Sequence, residues 1–329
     1  MIISKTPHRI SFFGGGTDYS SYYLKHGGKV LGVGINKYSY INIRKLPPFF
    51  NHKHRIVYSK QENVATFDEI VHPSVRETLK FFNVDYGISI HHDGDIPARS
   101  GMGSSSAFTV GLIKSLYALE GKMISKDELA KTAIHIEQNL IQEHVGSQDQ
   151  MFAAYGGLNM IEFLQSGEII VNPVILPKGR LEEFESSLML FFTGISRIAS
   201  EVAKDQIENI ENNEPNLHAM KNLVDDALNL LTSDRDINLF GEMLNDTWKL
   251  KRSLSDKISN PEIDSMYDKA IASGAIGGKL LGAGGGGFML FFVPKEHQEN
   301  VKAVLGGYLH IPFKFDSGGS EVIVYEPNY

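Results

Sequence analysis

Five of the six residues at positions 282–287 are glycine, with Ala283 the exception. Glycine adds no side chain to a core and loses more backbone freedom on folding than any other residue. A run this dense makes sense where a backbone must pass very close to a ligand or to another stretch of chain. A tight turn between strands needs one or two glycines, not five. Two further segments carry glycines next to polar and charged groups. Residues 7–19 read Pro-His-Arg-Ile-Ser-Phe-Phe-Gly-Gly-Gly-Thr-Asp-Tyr, and residues 97–107 read Pro-Ala-Arg-Ser-Gly-Met-Gly-Ser-Ser-Ser-Ala.

The segment at 97–107 is the strongest chemical signal. A strand-like stretch precedes it, and Phe108, Leu112, Leu116 and Leu119 follow at helical spacing. The start of a helix carries unpaired N–H groups and partial positive charge, so it binds phosphate oxygens. Gly101 and Gly103 let the backbone come close, and the hydroxyls of Ser104, Ser105 and Ser106 can cap the helix, bind phosphate or ligate a divalent cation. On the plainer reading Ser104 is only an N-cap and the glycines only a turn. No lysine follows Gly103, so this is not the Gly-x-x-x-x-Gly-Lys-Ser/Thr loop, and the dinucleotide fingerprint spacing is missing too. In the first segment a strand runs through a glycine turn into Thr17-Asp18, which has the form of a helix start. There the plainer reading makes Asp18 a cap and Arg9 the partner of a surface acid.

Two carboxylates stand out, Glu137 on a helix and Asp149 just past Gly146 at a new helix start. A carboxylate beside a phosphate site is suited to Mg²⁺, which prefers oxygen ligands. A second can orient or deprotonate an attacking hydroxyl. Against this, most Asp and Glu residues are solvated surface groups. The histidine pairs His52/His54 and His91/His92 lack the His-Glu-x-x-His form and read as core or surface residues. Trp248 is expected between two lobes. Its neighbours Lys249, Lys251 and Arg252 form either a solvated face or a site for an anionic substrate.

Composition narrows the function classes. A net charge of −7 leaves no basic excess for nucleic acid. The absence of cysteine excludes disulfides, thiolate catalysis and cysteine-bound zinc. The first residues lack the apolar core of a signal peptide, and the most apolar stretch, 280–293, is too short and glycine-rich for a membrane span. A cytoplasmic location, with no membrane or nucleic-acid partner, is the expectation.

Strands are expected at 10–13, 30–35, 38–43, 86–91, 157–163, 188–192, 288–293 and 321–325. Helices are expected at 73–82, after 103, and after the capping box at 125–128. Residues 199–273 read as helix, interrupted at Glu214-Pro215 and near Asn260-Pro261. At 329 residues, two α+β lobes are expected, with a boundary between 165 and 190.

The three glycine segments, in this order and spread over nearly the whole chain, resemble the motifs of the GHMP kinases. The resemblance implies an α+β protein of two domains: an N-terminal α/β domain at 1–180 and a ferredoxin-like C-terminal domain at 181–329, with the active site between them. It implies ATP and Mg²⁺, with ATP phosphates on Gly101, Met102, Gly103, Ser104, Ser105 and Ser106. It makes Ser105 and Glu137 the Mg²⁺ ligands, and Asp149 and Arg9 the catalytic pair at the substrate hydroxyl. Gly15, Gly16, Thr17 and Asp18, with Gly284 and Gly285, fall on the substrate side.

Galactokinases carry Glu-His before the Thr-Asp of the first motif, where this chain has Gly15-Gly16, which puts galactose in doubt. The Phe-Gly-Gly-Gly-Thr-Asp form is similar to heptose 7-phosphate kinases and to the kinase part of fucokinases. The segments at 100–109 and 248–255, and the compact length, are most similar to the former. The implied reaction is phosphorylation of the anomeric hydroxyl of D-glycero-D-manno-heptose 7-phosphate, on a route to nucleotide-activated heptose. Arg99, Arg197, Lys249, Lys251 and Arg252 are then candidates for the sugar phosphate. The alternatives are a fucokinase-like enzyme acting on an unphosphorylated sugar, a non-catalytic ATP and sugar sensor, and a decarboxylase of the mevalonate branch. The retained Asp149, Glu137 and Arg9 argue against the sensor, and Thr17-Asp18 against the decarboxylase. A homodimer is compatible with all of these.

Overall fold

The first strand is longer than its aromatic end suggests. In the computed structural model, which describes residues 1–98, 100–195 and 199–327, β1 spans Ile2–Phe13. After α1 (Ser20–His26), β2 runs Gly28–Lys45 as one strand, where the sequence suggested two. The gap between the expected strands is a bulge: Pro7 faces Tyr38 while His8 faces Ile35, leaving Asn36 and Lys37 as extra residues on β2. Pro7 has no N–H to give to a regular ladder, and a bulge tolerates that.

The chain continues through β3 (His54–Val57), β4 (Gln61–Val64), α2 (Pro73–Phe81), β5 (Ile88–Gly94) and α3 (Ser104–Leu119). Then come α4 (Lys126–His135), α5 (Gln148–Tyr155), β6 (Leu158–Phe163) and β7 (Ile169–Pro173). Among the described residues these strands and the late β12 (Glu321–Tyr325) form one sheet, in the order β12-β1-β2-β5-β3-β4 with β6 and then β7 branching from β2. The long β2 pairs with β6 along residues 28–33 and with β5 along residues 39–45. Helix α3 is apolar nearly all round because it is buried on two sides. Phe108, Leu112, Leu116 and Leu119 enter one core cluster, and Ala107, Val110 and Ile113 another. Ser125 caps α4 by accepting from the Glu128 N–H, as its sequence form implies.

The second lobe holds α6 (Lys178–Ser186), β8 (Leu188–Phe192), α7 (Ala199–Glu208), α8 (Ile210–Leu231), α9 (Asn238–Arg252) and α10 (Pro261–Ala272). It ends with β9 (Gly277–Leu280), β10 (Phe288–Phe292), α11 (Gln298–Val304) and β11 (Leu309–His310). The sheet order β11-β8-β10-β9, antiparallel throughout, is the split β-α-β pattern of a ferredoxin-like lobe.

Two expectations are corrected, and the place of Trp248 is refined. The helix break at Pro215 is absent: Pro215 lies inside α8 and the interruption falls at Asn209. Pro215 forfeits one backbone bond, while Leu217, Met220 and Val224 continue a buried stripe that outweighs it. Trp248 packs beside Tyr267 with the Arg252 guanidinium over its ring, in a core cluster that it shares with Tyr19 and Tyr22 of the first lobe. The stretch 181–329 is not wholly in the second lobe, because β12 (Glu321–Tyr325) returns to pair with β1 in the first sheet. The lobes share a continuous core, in which Phe12 and Phe13 at the end of β1 pack on Phe240 at 5.5 and 5.0 Å.

β1 carries the first polar groups of the site, and His8 there is buried. Burial, then the neighbouring Arg9, pushes its imidazole down to about 4. The unfolded chain titrates near 6.5, so it binds more protons than the folded chain between the two values. The stability tied to His8 is therefore full above pH 6.5 and is lost as pH falls toward 4, approaching ~3 kcal/mol. Urea unfolding of wild type and His8→Phe across this range is expected to show a shallower acid loss in the variant. An identical loss in both would remove His8 from the acid limb.

Candidate active site

Where β1 ends, Gly14 turns at φ +80°, and a Cβ there would stand 1.9 Å from the Lys29 carbonyl oxygen. The Thr17 hydroxyl bonds the carbonyls of Gly14 and Lys29, so Thr17 braces the turn and is fully buried. Gly15, Gly16 and Asp18 line the interlobe cleft, which encloses about 250 Å³. Asp18 does not cap α1; the residue at that position is Tyr19. One carboxylate oxygen of Asp18 accepts from the Gly16 N–H at 3.0 Å, the other from the Gln148 N–H at 3.2 Å. Asp18 thus ties the glycine turn to the start of α5. Burial, then the charge of Asp149, raises its pKa.

The second glycine segment enters α3 through Gly103, which takes the left-handed conformation at φ +73° and occupies the N-cap position. Ser104 is therefore the first helical residue and not the cap. Gly103, Ser104, Ser105 and Ser106 line the cleft together with Gly101. Met102 does not: its side chain is buried in the core, and its carbonyl accepts from the Arg9 backbone N–H.

The third segment lies directly against the second. A Cβ on Gly282 would stand 2.4 Å from the Gly101 Cα, and one on Gly287 would stand 2.2 Å from the Ser100 carbonyl oxygen. The glycines allow backbone-to-backbone packing. Gly284 and Gly285, expected on the substrate side, instead lie against Ile258, whose carbonyl accepts from the Gly285 N–H at 2.8 Å. It is Gly282 and Ala283 that line the cleft.

Arg9 and Asp149 meet as a bidentate pair. Arg9 Nε donates to Asp149 Oδ1 at 2.8 Å and Nη2 to Oδ2 at 2.9 Å, while Nη1 donates to the Gly101 carbonyl at 2.6 Å. The guanidinium is only 5 % exposed and the carboxylate 26 %, so the acid keeps an open face toward the cleft. Asp149 Oδ2 lies 3.4 Å from where a Gly103 Cβ would stand, which puts the carboxylate at the mouth of α3.

Glu137 lies in a π-helical turn and is fully buried. Its Oε2 accepts from the Ser106 hydroxyl at 2.8 Å and from the Gln150 amide, the Thr109 hydroxyl lies close to the carboxyl, and Oε1 has no close hydrogen-bond partner among the described residues. Burial pushes this carboxyl up to about 7. An orphaned, buried carboxylate oxygen one serine from the start of α3 fits a hard cation such as Mg²⁺. The serine bonded to Glu137 is Ser106; Ser105 is exposed in the cleft.

Of the five cations considered for a sugar phosphate, Arg99 and Arg197 lie outside the described residues. Lys249 pairs with Asp246 on the surface, and Arg252 pairs with Asp264. Lys251 alone among the other three reaches the cleft. Lys279, which the sequence did not single out, lines it too; the signal was one lysine inside an otherwise small and apolar strand.

Comparison with known proteins places this arrangement. A family model described as GHMP kinases N terminal domain matches residues 70–157, and one described as GHMP kinases C terminal matches residues 219–310. A D-glycero-alpha-D-manno-heptose 7-phosphate kinase from Campylobacter jejuni is 31% identical over 322 residues, covering 92% of this chain and 93% of that protein. An L-fucokinase/L-fucose-1-P guanylyltransferase from Bacteroides fragilis is 26% identical over 92% of this chain, but over 35% of its own length. The crystal structure of a D-glycero-D-manno-heptose 1-phosphate kinase from Bacteriodes thetaiotaomicron superposes with a TM-score of 0.80 at 26% identity, over 99% of this chain and 100% of that one.

The packing of the second and third glycine segments is testable with a matched pair of variants. Gly282 and Gly121 share a left-handed φ, +73° and +67°, but only Gly282 has backbone within 3 Å of an added Cβ. Gly121→Ala is expected to cost about 1 kcal/mol for the conformation alone. Gly282→Ala is expected to cost at least ~2 kcal/mol more, because backbone must move. Equal losses in chemical denaturation would mean that the segments are not held in contact.

Proposed function

The chain belongs to the GHMP kinases, and on that footing we propose that it transfers the terminal phosphoryl group of ATP to the anomeric hydroxyl of D-glycero-D-manno-heptose 7-phosphate. The products are ADP and the 1,7-bisphosphate, a step toward nucleotide-activated heptose. The observation that carries the reading is the open face of Asp149, locked by Arg9 at the mouth of α3. The two heptose-phosphate kinases among the similar proteins support the choice of sugar.

Phosphoryl transfer asks a protein for in-line positioning and charge neutralisation more than for covalent help. The first turn of α3 and the glycine backbone at 101 and 103 hold the phosphates of ATP. Arg9 is fixed by three hydrogen bonds and places its charge beside the transferred group without reorganising. Asp149 accepts the proton of the sugar hydroxyl as that oxygen bonds to phosphorus and the bond to the ADP oxygen breaks. An anomeric hydroxyl is more acidic than an ordinary alcohol, so a carboxylate is base enough. Asp18, Gly15 and Gly16 face the sugar hydroxyls. Glu137, with Ser105 and Ser106 nearby, would hold Mg²⁺, which when bound offsets the charge of the phosphate oxygens.

Release of ADP from Mg-ATP is to be followed with heptose 7-phosphate, mannose 6-phosphate, fucose, galactose and mevalonate in turn. Turnover is expected on the heptose phosphate. Preferred turnover on a neutral sugar, or none on any, would overturn the substrate or the activity respectively. Asp149→Ala is expected to lower kcat by ~10²-fold or more while ATP still binds. Unchanged turnover in that variant would take Asp149 out of the mechanism.

A further inference from the structure

We propose that Lys251 and Lys279 together read the phosphate that the sugar already carries, forming an anion site on the second-lobe wall of the cleft. The inference rests on the reading of the substrate given above. Lys251 comes from α9, and its ammonium donates to the carbonyl of Leu280 at 2.8 Å and to that of Gly282. Lys279 comes from β9 and donates to the carbonyl of Phe12 at 2.7 Å. The two residues are 7 % and 3 % exposed, and both line the cleft.

Every hydrogen-bond partner of these lysines among the described residues is a neutral carbonyl. Among the described residues no carboxylate pairs with either, whereas Arg9, a further buried cation of the cleft, is matched by Asp149. A buried charge without a counter-charge costs several kcal/mol. Burial, then Arg9, pushes Lys251 down to about 7, and burial, then the charge of Lys251, holds Lys279 well below the ordinary lysine range. Methionine would fill either position without that penalty, so the pair is maintained against its own electrostatics. An ammonium has three donors. Lys251 uses two and Lys279 one, which leaves three N–H groups for a ligand.

Those donors and that charge suit a phosphate dianion. The phosphates of ATP already have the start of α3 and Arg9. The lysines stand on the other lobe, joined to the third glycine segment through Leu280 and Gly282. Both lysines share the cleft with Asp149 and feel the charge of Arg9, so a sugar held at Asp149 has its phosphate within the same enclosure as this wall.

The test uses Lys251→Met, Lys279→Met and the double variant, with heptose 7-phosphate and with the same heptose lacking phosphate. The ratio of kcat/KM for the phosphorylated over the unphosphorylated sugar is expected to fall ~10–10²-fold in each single variant, mainly through KM, on the scale of a lost charged hydrogen bond. Circular dichroism checks that the variants fold; a modest fall in Tm is expected, because the carbonyls of Leu280, Gly282 and Phe12 lose their donor. Equal losses on both sugars, or a raised KM for ATP with an unchanged ratio, would overturn the assignment. Calorimetry of heptose 7-phosphate binding to wild type, in two buffers of different ionisation enthalpy near pH 8, gives a readout independent of the variants. Proton uptake by the lysines is expected, and its absence would contradict the proposal. If wild type turns over neither sugar, the activity reading falls, while weaker binding of heptose 7-phosphate to the variants still supports the anion site and undiminished binding overturns it.

Discussion

Backbone meets backbone, with no side chain between, where Gly282 lies against Gly101. The contact joins the third glycine segment to the second and so joins the two lobes at the floor of the cleft. It fixes the carbonyl of Gly101, to which Arg9 donates, and the carbonyl of Gly282, to which Lys251 donates. The charged groups of the site are thus held by peptide oxygens whose positions depend on residues with no side chains. That is why the glycine run is tolerated despite its entropic cost.

Around this floor the charges are arranged unevenly. Arg9 and Asp149 neutralise each other in a two-bond fork that also aims the carboxylate. Asp18 is buried and spends both carboxylate oxygens on backbone N–H groups. Among the described residues Glu137 keeps one oxygen without a close partner, and Lys251 and Lys279 keep donors in hand. The two lysines line the cleft, and Glu137 lies buried behind its wall, bonded to Ser106, which lines it.

Much of this was legible in the sequence, because it followed from local pattern. The strand–glycine–helix order around 97–107, the capping box at Ser125 and the interruption of helix near Asn260-Pro261 depend on neighbours in the chain. So does the density of glycine at 282–287, which correctly implied a close approach. What the glycines approach is a long-range fact, and the sequence did not contain it. Gly284 and Gly285 serve Ile258, while Gly282 serves Gly101. Thr17 and Met102 matched a motif but hold the backbone from behind. Lys279 was passed over because one lysine in a strand reads as an exposed edge until the fold buries it. The return of β12 to the first sheet was hidden for the same reason: pairing across the whole chain leaves no local mark.

The claim that unites these features is transfer to the anomeric oxygen of a sugar that keeps its distal phosphate. Phosphorus NMR of the products formed from Mg-ATP and heptose 7-phosphate tests it directly. The account predicts one new phosphate signal coupled to the anomeric proton, an intact 7-phosphate signal, and ADP in equal amount. Free phosphate with ADP, or a new ester at any other hydroxyl, would contradict it.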